Sequence, residues 1–287
     1  MKLNINNFFE DILPRVDYFG RYALAIQKYV YSTEKGNSND SKTKRALTDA
    51  DFIVQEGLLR TFLEKNYCFK IFAEENSPYN DKFPSKEDTL ITLDPIDETL
   101  AYMNNLPNFC IILGVFNKGT LEGALVHTPF DRKFYYATQE KEKSWVWEAD
   151  DEQNYAKRPL YYNQNSNNIV VTYKSEPKVV SSLENTGIKV YQSDKNTSLQ
   201  GIATHSILRR EISAFFRQNV PAIDWAPLSL LIEKAGGFVT DYNGKRDNIY
   251  QYWERKDGWQ ESRIPSLVVS WDRELHDKIL EVLKNER

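Results

Sequence analysis

Two aspartates stand close together in a segment whose residue types could bind a cation. Asp94 and Asp97 flank Pro-Ile in the stretch Thr-Leu-Ile-Thr-Leu-Asp-Pro-Ile-Asp-Glu-Thr, residues 89–99. Residues 90–93 favour a strand, and Pro95 is expected to stop its regular pairing. Two carboxylates on a rigid turn would then supply hard oxygen ligands where a strand meets a loop. A strand that simply ends in an Asx-Pro turn explains this stretch equally well.

Three more acids stand at predicted ends of helices and strands: Asp51, Glu74 and Asp224. Carboxylates that converge repel and desolvate one another, so a cluster of them would require cations. Oxygen ligands without a Cys or His partner favour Mg²⁺ over zinc. Helix capping alone would also explain Asp51, because it follows Thr48 by three residues at the start of a predicted helix.

The predicted elements that carry these acids differ between the two halves of the chain. In the first half, two helices precede β-rich runs separated by turn signals, and this close spacing predicts an antiparallel meander. In the second half, strands and helices alternate, which predicts an α/β unit. We expect an N-terminal α+β subdomain at residues 1–160 and a C-terminal α/β subdomain at residues 161–287.

Local signals add detail to this outline. Residues 3–31 are predicted to be helical, with Pro14 starting or kinking a turn. Residues 32–45 and 150–158 are polar and are predicted to be loops. Asp224 is predicted to cap a helix that the pair Gly236-Gly237 ends.

Composition excludes several classes of protein. Of the 287 residues, 41% are apolar and 27% charged, as in a soluble globular protein. The 37 basic and 41 acidic residues give a formal charge of −4 without a basic block, so no nucleic-acid polymer is expected as a partner. No apolar run approaches the roughly 18 residues of a membrane span, and residues 1–10 do not resemble a signal peptide. Cys68 and Cys110 have apolar neighbours in sequence and are expected to be free buried thiols, so we expect a cytoplasmic protein without a membrane partner.

Four motifs, taken in order, resemble those of the inositol monophosphatase family of magnesium-dependent phosphatases. Residues 48–51, Thr-Asp-Ala-Asp, resemble the Thr-x-x-Asp of the family, and residues 72–76, Phe-Ala-Glu-Glu-Asn, its Gly-Glu-Glu. Residues 94–99 resemble Asp-Pro-Ile-Asp-Gly-Thr, and Asp224 with Ala-Gly-Gly at 235–237 resembles Trp-Asp…Glu-Ala-Gly-Gly. The resemblance covers most of the chain and implies an α/β (α+β) fold, a layered αβαβα sandwich.

The resemblance also implies a metal-binding role for each acid. A first Mg²⁺ would be held by Glu74, Asp94 and the backbone carbonyl of Ile96. A second would be held by Asp94, Asp97 and Asp224, so that Asp94 bridges the two ions. A third, looser ion would lie near Glu74, which makes two to three ions in all. Mn²⁺ is expected to substitute for Mg²⁺ and Li⁺ to inhibit.

The implied reaction is hydrolysis of a phosphomonoester by a water molecule that the metal activates. Glu74 and the Thr99 hydroxyl, supported by Asp51, would orient that water. The implied partner is a small phosphorylated metabolite: an inositol monophosphate, a 3′(2′),5′-bisphosphonucleoside or a sugar bisphosphate. Relatives are usually dimers, so a homodimer is expected.

Two positions depart from the family pattern in the expected substrate-binding set, which comprises Asp97, Glu98, Thr99 and Arg217. Glu98 replaces a glycine beside backbone amides that are expected to cradle the phosphate, so either its side chain turns outward or phosphate binding is impaired. Arg217 occupies a position near the one where inositol-specific members of the family have a glutamate. An arginine there would bind a second anionic group of the substrate, although a surface arginine at the end of a strand is an equally good interpretation. The alternative function is therefore a catalytically weakened family member that binds ligands or acts in regulation.

Overall fold

The computed structural model describes residues 3–30, 32–34, 46–140, 144–150, 154–160, 168–193, 203–246, 249–251 and 262–286. These residues contain seven α-helices and fourteen strands. The helices are α1 (Ile5–Ile26), α2 (Asp49–Glu64), α3 (Thr99–Met103), α4 (Pro177–Glu184), α5 (Ala203–Leu208), α6 (Ala222–Lys234) and α7 (Arg273–Asn285). The strands are β1 (Ser32–Glu34), β2 (Ala46–Thr48), β3 (Lys70–Ala73), β4 (Thr89–Asp97), β5 (Cys110–Asn117), β6 (Thr120–Thr128), β7 (Lys133–Thr138), β8 (Trp145–Ala149), β9 (Tyr155–Pro159), β10 (Ile169–Thr172), β11 (Lys189–Gln192), β12 (Ala214–Pro221), β13 (Phe238–Thr240) and β14 (Arg263–Ser270).

The strands form one seven-stranded sheet, one five-stranded sheet and a two-stranded ribbon. The large sheet has the order β3-β4-β5-β6-β7-β8-β9. Strand β3 is parallel to β4, and the later pairs are antiparallel, which confirms the predicted meander. The second sheet has the order β11-β10-β12-β14-β13 and contains the parallel pairs that an α/β unit requires. Strand β1 pairs with β2 in the ribbon.

The helices and sheets stack in five layers. Helices α1 and α2 pack on one face of the seven-stranded sheet. Helix α6 lies between the two sheets, and α4 and α7 cover the outer face of the five-stranded sheet. Because central strands such as β5 are buried on both faces, their sequences are continuously apolar. The layered αβαβα sandwich implied by the sequence motifs is therefore confirmed, whereas the division near residue 160 stays a prediction.

Helix α1 continues through Pro14, so the prediction of a turn there is wrong. The helix begins after Asn4, whose side chain accepts a hydrogen bond of 3.1 Å from the backbone amide of Asn7. Its buried face includes Phe9 and Ile12, both fully buried against the seven-stranded sheet. The free energy gained by burying this face on both sides of the proline compensates for the backbone hydrogen bond that is lost because proline has no N–H group.

Strand β4 continues past Pro95 to Asp97, which corrects the expectation that the proline stops pairing. Its partner β5 is in register up to Asp94, the register then shifts, and pairing resumes between Asp97 and Cys110. A bulge of this kind accommodates a residue without an N–H group and turns the side chains beside it. Both aspartates therefore belong to the irregular end of one strand.

Other local predictions also require correction. Residues 32–34, predicted as loop, form β1, and residues 155–159 form the polar edge strand β9, where side chains exposed on an edge hide the alternating pattern. Residues 35–45 lie outside the described part of the chain. Cys110 is buried as expected, but Cys68 is exposed and its Sγ donates to Oε1 of Glu87 at 3.2 Å. Among the described helices, none has the length and apolar character needed to cross a bilayer.

Candidate active site

Three of the predicted metal ligands meet where the bulged end of β4 faces the start of α6. Carboxylate oxygens of Asp94, Asp97 and Asp224 all lie within 4.8 Å of one another. Asp94 is 3% exposed and Asp97 9% exposed, so two of these charges are withdrawn from water. Asp224 is the third residue of α6 and lies inside the first turn, so it does not cap the helix as the sequence had indicated.

Glu74 extends this group from the neighbouring parallel strand. Its backbone amide continues the pairing of β3 with β4 through a hydrogen bond of 2.9 Å to the carbonyl of Leu93. Its carboxyl group, more exposed than the others, reaches hydrogen-bonding contact with the carboxyl group of Asp94. Two carboxylates cannot make such a contact unless a proton or a cation lies between them. Glu74 and Asp94 are therefore placed to share a cation.

Burial and mutual repulsion raise the pKa values of these acids. Burial raises the pKa of Asp94 well above its usual range, and the nearby charges of Glu74 and Asp224 raise it further. Burial also raises the pKa of Asp97, while the Thr204 side chain acts in the opposite direction. Each shift means that the ionised cluster costs free energy in the folded chain when no cation is bound.

The donor set fits a hard divalent cation. All of its side-chain ligands are carboxylate oxygens, the type that Mg²⁺ prefers. Oδ2 of Asp97 is buried and has no hydrogen-bond partner among the described residues. A buried acceptor without a donor is costly, and a cation would satisfy it. The carbonyl of Ile96 accepts from the Thr99 hydroxyl at 2.9 Å and keeps a second lone pair for a metal ion.

The predicted catalytic residues Asp51 and Thr99 are brought together beside this cluster. The Thr99 hydroxyl lies 3.3 Å from Oδ1 of Asp51. Oδ2 of Asp51 accepts from the backbone amide of Thr48 at 2.8 Å and from its hydroxyl at 2.6 Å, so the predicted capping arrangement of Thr48 and Asp51 is confirmed. Burial raises the pKa of Asp51 to about 7, although the Thr48 hydrogen bonds lower it and the Glu74 charge raises it. Asp51 therefore caps α2 with one oxygen and holds Thr99 with the other.

Glu98 is accommodated in the turn between Asp97 and Thr99 by an unusual backbone conformation. Its φ of 73° and ψ of 39° lie in the left-handed region, where glycine is favoured. Its side chain does not turn outward, because Oε1 accepts a hydrogen bond of 2.9 Å from the backbone amide of Thr204 at the start of α5. Burial raises the pKa of Glu98 well above its usual range, and the charge of Asp97 adds to this shift.

Arg217 lies on β12, and its guanidinium group packs over the ring of Tyr173, 4.1 Å from the centroid. The ammonium group of Lys174 lies 5.2 Å from the same centroid. Two cations on one ring form a positive group just after β10. The sequence analysis indicated Arg217 but not Tyr173, over whose ring both cations lie.

Two further residues that contact the site are absent from the predicted set. Gln55 is fully buried, and its side-chain amide donates to the carbonyl of Glu75 at 2.7 Å and accepts from the amide of Glu75 at 3.0 Å. This pair of bonds fixes the backbone directly after Glu74. Thr204 contacts Glu98 and Asp97 from α5. A glutamine on the apolar face of α2 was a signal available in the sequence, whereas nothing local distinguishes Thr204.

The family assignment rests on a match along nearly the whole chain. The sequence model of the inositol monophosphatase family matches residues 19–286. The chain therefore belongs to the inositol monophosphatase family. A fructose-1,6-bisphosphatase/inositol-1-monophosphatase of Methanocaldococcus jannaschii is 25% identical over 284 residues, which cover 96% of this chain and 94% of that protein. The Nus factor SuhB of Escherichia coli K12 is 23% identical over 221 residues, which cover 75% of this chain and 76% of SuhB.

Solved structures show the same fold. An IMPase of Thermotoga maritima superposes with a TM-score of 0.71 at 19% identity, over 97% of each chain. An IMPase/NADP phosphatase complexed with Mg²⁺ and phosphate superposes with a TM-score of 0.66 at 16% identity, over 97% of this chain and 94% of that one. Both likenesses confirm the layered sandwich.

Proposed function

We propose that this chain is a Mg²⁺-dependent phosphatase that hydrolyses a small phosphomonoester. The observation that carries the proposal is the meeting of Asp94, Asp97 and Asp224, whose oxygens lie within 4.8 Å. Carboxylates this close repel one another, so the arrangement becomes favourable when cations bind. Membership of a phosphatase family supports the same conclusion.

The metal ligands in this proposal are Glu74, Asp94, Asp97, Asp224 and the carbonyl of Ile96. Mg²⁺ held there would lower the pKa of a water molecule and neutralise charge on the phosphoryl group. Two ions are expected, with a third, looser one near Glu74. Support comes from the contact between the Glu74 and Asp94 carboxyl groups and from the related fold that was solved with Mg²⁺ and phosphate.

Thr99 and Asp51 are proposed to orient the water that attacks phosphorus. The Thr99 oxygen is held by Asp51 and by the Ile96 carbonyl, so its free lone pair can accept a hydrogen bond from water. Glu74 would fix the same water from the other side. Attack forms a new P–O bond, the ester P–O bond breaks, and the leaving oxygen takes up a proton to give an alcohol and inorganic phosphate. Fixed orientation of this kind lowers the barrier without a covalent intermediate.

The positive group of Arg217 and Lys174 favours a substrate with a second anionic group. A guanidinium group with a fixed plane pairs well with phosphate oxygens. Among the candidates, a 3′(2′),5′-bisphosphonucleoside or a sugar bisphosphate therefore fits better than an inositol monophosphate. We also propose that the protein is a homodimer, by analogy with the family that it resembles, and that it resides in the cytoplasm, as its composition suggested.

The test is phosphate release from a panel of these monoesters in the presence of Mg²⁺. The proposal predicts release from at least one doubly anionic ester, loss of release with EDTA, and loss in Asp94→Asn. A variant distant from the site, Lys278→Gln on α7, is the matched control and should retain wild-type rates. Release that persists in EDTA would overturn the metal requirement.

A second candidate function is a family member that binds metal and ligand but turns over poorly and acts in regulation. Glu98 favours it, because a buried carboxyl group stands where the family pattern has glycine. The relationship to a protein named Nus factor SuhB is also compatible with it. Mg²⁺ binding without phosphate release across the panel, together with release by Glu98→Gly, would support this second function.

A further inference from the structure

One contact of Glu98 crosses from the metal-binding turn to the other half of the molecule. Oε1 accepts a hydrogen bond of 2.9 Å from the backbone amide of Thr204, 106 residues further along the chain. Glu98 follows β4 of the seven-stranded sheet, whereas Thr204 is the second residue of α5, which packs on β12 of the five-stranded sheet. This hydrogen bond therefore joins the turn to an element of the second sheet.

The bond ends within one residue of two functional side chains. Asp97 and Thr99 are the covalent neighbours of Glu98, and Thr204 also acts as a side-chain hydrogen-bond donor toward the Asp97 carboxylate. Thr204 is 2% exposed, so the contact is sheltered from water. A hydrogen bond in such surroundings is stronger than an exposed one, because little water competes for its donor and acceptor.

The backbone of the turn shows why a tether is needed. Between Asp94 and Glu98 the backbone contains a register shift, a proline and a left-handed residue, so regular pairing is interrupted there. Helix α3 after the turn has only five residues. The backbone amides of Ala101 and Tyr102 both donate to a single acceptor in the turn, the carbonyl of Glu98. The Glu98 side chain adds a fixed point that the local backbone does not supply.

We infer that Glu98 is a positioning residue, whose hydrogen bond to Thr204 holds Asp97 and Thr99 in the geometry that binds Mg²⁺. The inference rests on the proposed metal site and deepens it. The glutamate is then a structural adaptation of this chain, because a left-handed residue with a long acceptor can reach α5 and glycine cannot. Without the bond, the turn is free to move relative to Asp224, which sits on a separate element.

Four variants of Glu98 and Thr204 separate position from charge. Glu98→Gln keeps the length and the acceptor but removes the charge, whereas Glu98→Asn removes the charge and is too short to reach Thr204. Asparagine tolerates the left-handed region, so the shorter variant is not strained. Glu98→Gly removes the side chain altogether, and Thr204→Ala keeps the backbone donor while removing the hydroxyl.

The first measurement is Mg²⁺ affinity by isothermal titration calorimetry on the full chain. Glu98→Asn and Glu98→Gly should bind Mg²⁺ roughly tenfold more weakly than Glu98→Gln, as expected for loss of a group that orients a metal ligand. Equal affinities of the Gln and Asn variants would overturn the inference, because only charge would then matter. Wild-type affinity in Glu98→Gly would overturn it as well.

The second measurement is hydrogen exchange of α5 in the metal-free protein, which does not depend on the proposed activity. Exchange should quicken in Glu98→Asn and Glu98→Gly and stay near wild type in Glu98→Gln and Thr204→Ala. Unchanged exchange in all variants would contradict the tether even if Mg²⁺ binding were altered. A wild-type chain that binds no Mg²⁺ but shows this exchange pattern would contradict the proposed function and retain the tether.

Discussion

Thr99 and Asp51 are joined by a hydrogen bond of 3.3 Å from the Thr99 hydroxyl to Oδ1 of Asp51. The same hydroxyl lies 2.9 Å from the Ile96 carbonyl, so its single hydrogen is shared between a carboxylate and a proposed metal ligand. Asp51 itself is fixed by Thr48 at the start of α2. Helix α2 thereby sets the orientation of a side chain at the first position of α3, 35 residues beyond the end of α2 at Glu64 (99 − 64).

Thr99→Val should reduce kcat about a hundredfold, because valine keeps the shape of threonine but removes the oxygen that orients water. Mg²⁺ affinity should change little, since the hydroxyl is not a proposed metal ligand. Thr99→Ser retains the oxygen and serves as the matched control, with kcat close to wild type. Steady-state kinetics together with calorimetry check the prediction, and a Val variant with normal kcat would show that Thr99 takes no part in orienting water.

Asp94→Asn should abolish Mg²⁺ binding and yet raise the thermal stability of the metal-free protein. Replacing one buried carboxylate with an amide removes repulsion from Glu74, Asp97 and Asp224. In the wild type, Mg²⁺ at about a hundred times its Kd should add about 2.7 kcal/mol to the free energy of unfolding, and EDTA should remove that gain. The variant should show no response to either. Thermal unfolding with and without Mg²⁺ tests both halves, and a metal-free variant less stable than metal-free wild type would argue against a strained cluster.

Arg217→Gln should lower kcat/KM for a bisphosphate ester at least tenfold and leave a monophosphate of a neutral polyol nearly unchanged. The reason is the loss of a charge-assisted hydrogen bond to the second anionic group. Arg217→Lys keeps the charge but not the planar fork, and we expect an intermediate value. Equal losses for both substrates would instead indicate that Arg217 stabilises the protein through its packing on Tyr173.

Features that depend on neighbours in sequence could be predicted from the sequence. The capping arrangement of Thr48 with Asp51 spans three residues, and the apolar periodicities of α1 and α2 are local, so their positions follow from helix geometry. The order of the four motifs supplied the family and, through it, the layers. Spacing alone does not bring Asp224 to Asp94, because those residues are 130 positions apart (224 − 94) in different elements.

Features that depend on distant contacts could not be predicted. The length of β4 beyond Pro95 is set by its register with β5, in particular the pair of Asp97 with Cys110. The direction of the Glu98 side chain is set by a donor on α5, which no local pattern identifies. Cys68 has apolar neighbours in sequence, but the fold leaves its side chain exposed at the edge next to Glu87.

His127 makes the stability of the fold sensitive to acid. It lies fully buried on β6, stacked on Phe134 with centroids 4.0 Å apart, and its Nδ1 lies 3.0 Å from the carbonyl of Lys133. Gly20 of α1 leaves room for the ring, because a Cβ there would lie 2.7 Å from it. Burial lowers the pKa of His127 to about 4, and the nearby charges of Asp17 and Asp131 offset this only in part.

Between pH 6.5 and about 4, the unfolded chain therefore binds a proton at this position that the folded chain does not bind. Stability rises with pH across this window and is lost as the pH falls through it. Acidification from about pH 7 to about pH 5 should lower the free energy of unfolding by about 2 kcal/mol through His127 alone. Folded-state pKa values of the site carboxylates are raised, so those groups act with the opposite sign, and a comparison with a variant is needed to isolate the histidine.

His127→Gln should remove this dependence while the carboxylate contribution stays the same in both proteins. Urea unfolding at about pH 8 gives the free energy of unfolding that the variant loses through poorer packing. At about pH 5 the wild type is also destabilised by protonation of His127 in its unfolded chain, so the difference in free energy of unfolding between the two proteins should be smaller by about 2 kcal/mol. His276 is a second buried histidine for comparison. Burial also lowers its pKa to about 4, and its Nε2 lies 3.0 Å from the hydroxyl of Thr240 on the five-stranded sheet. Parallel pH profiles of wild type and His127→Gln would mean that His127 titrates alike in the folded and unfolded chain, and its burial would then carry no cost in acid.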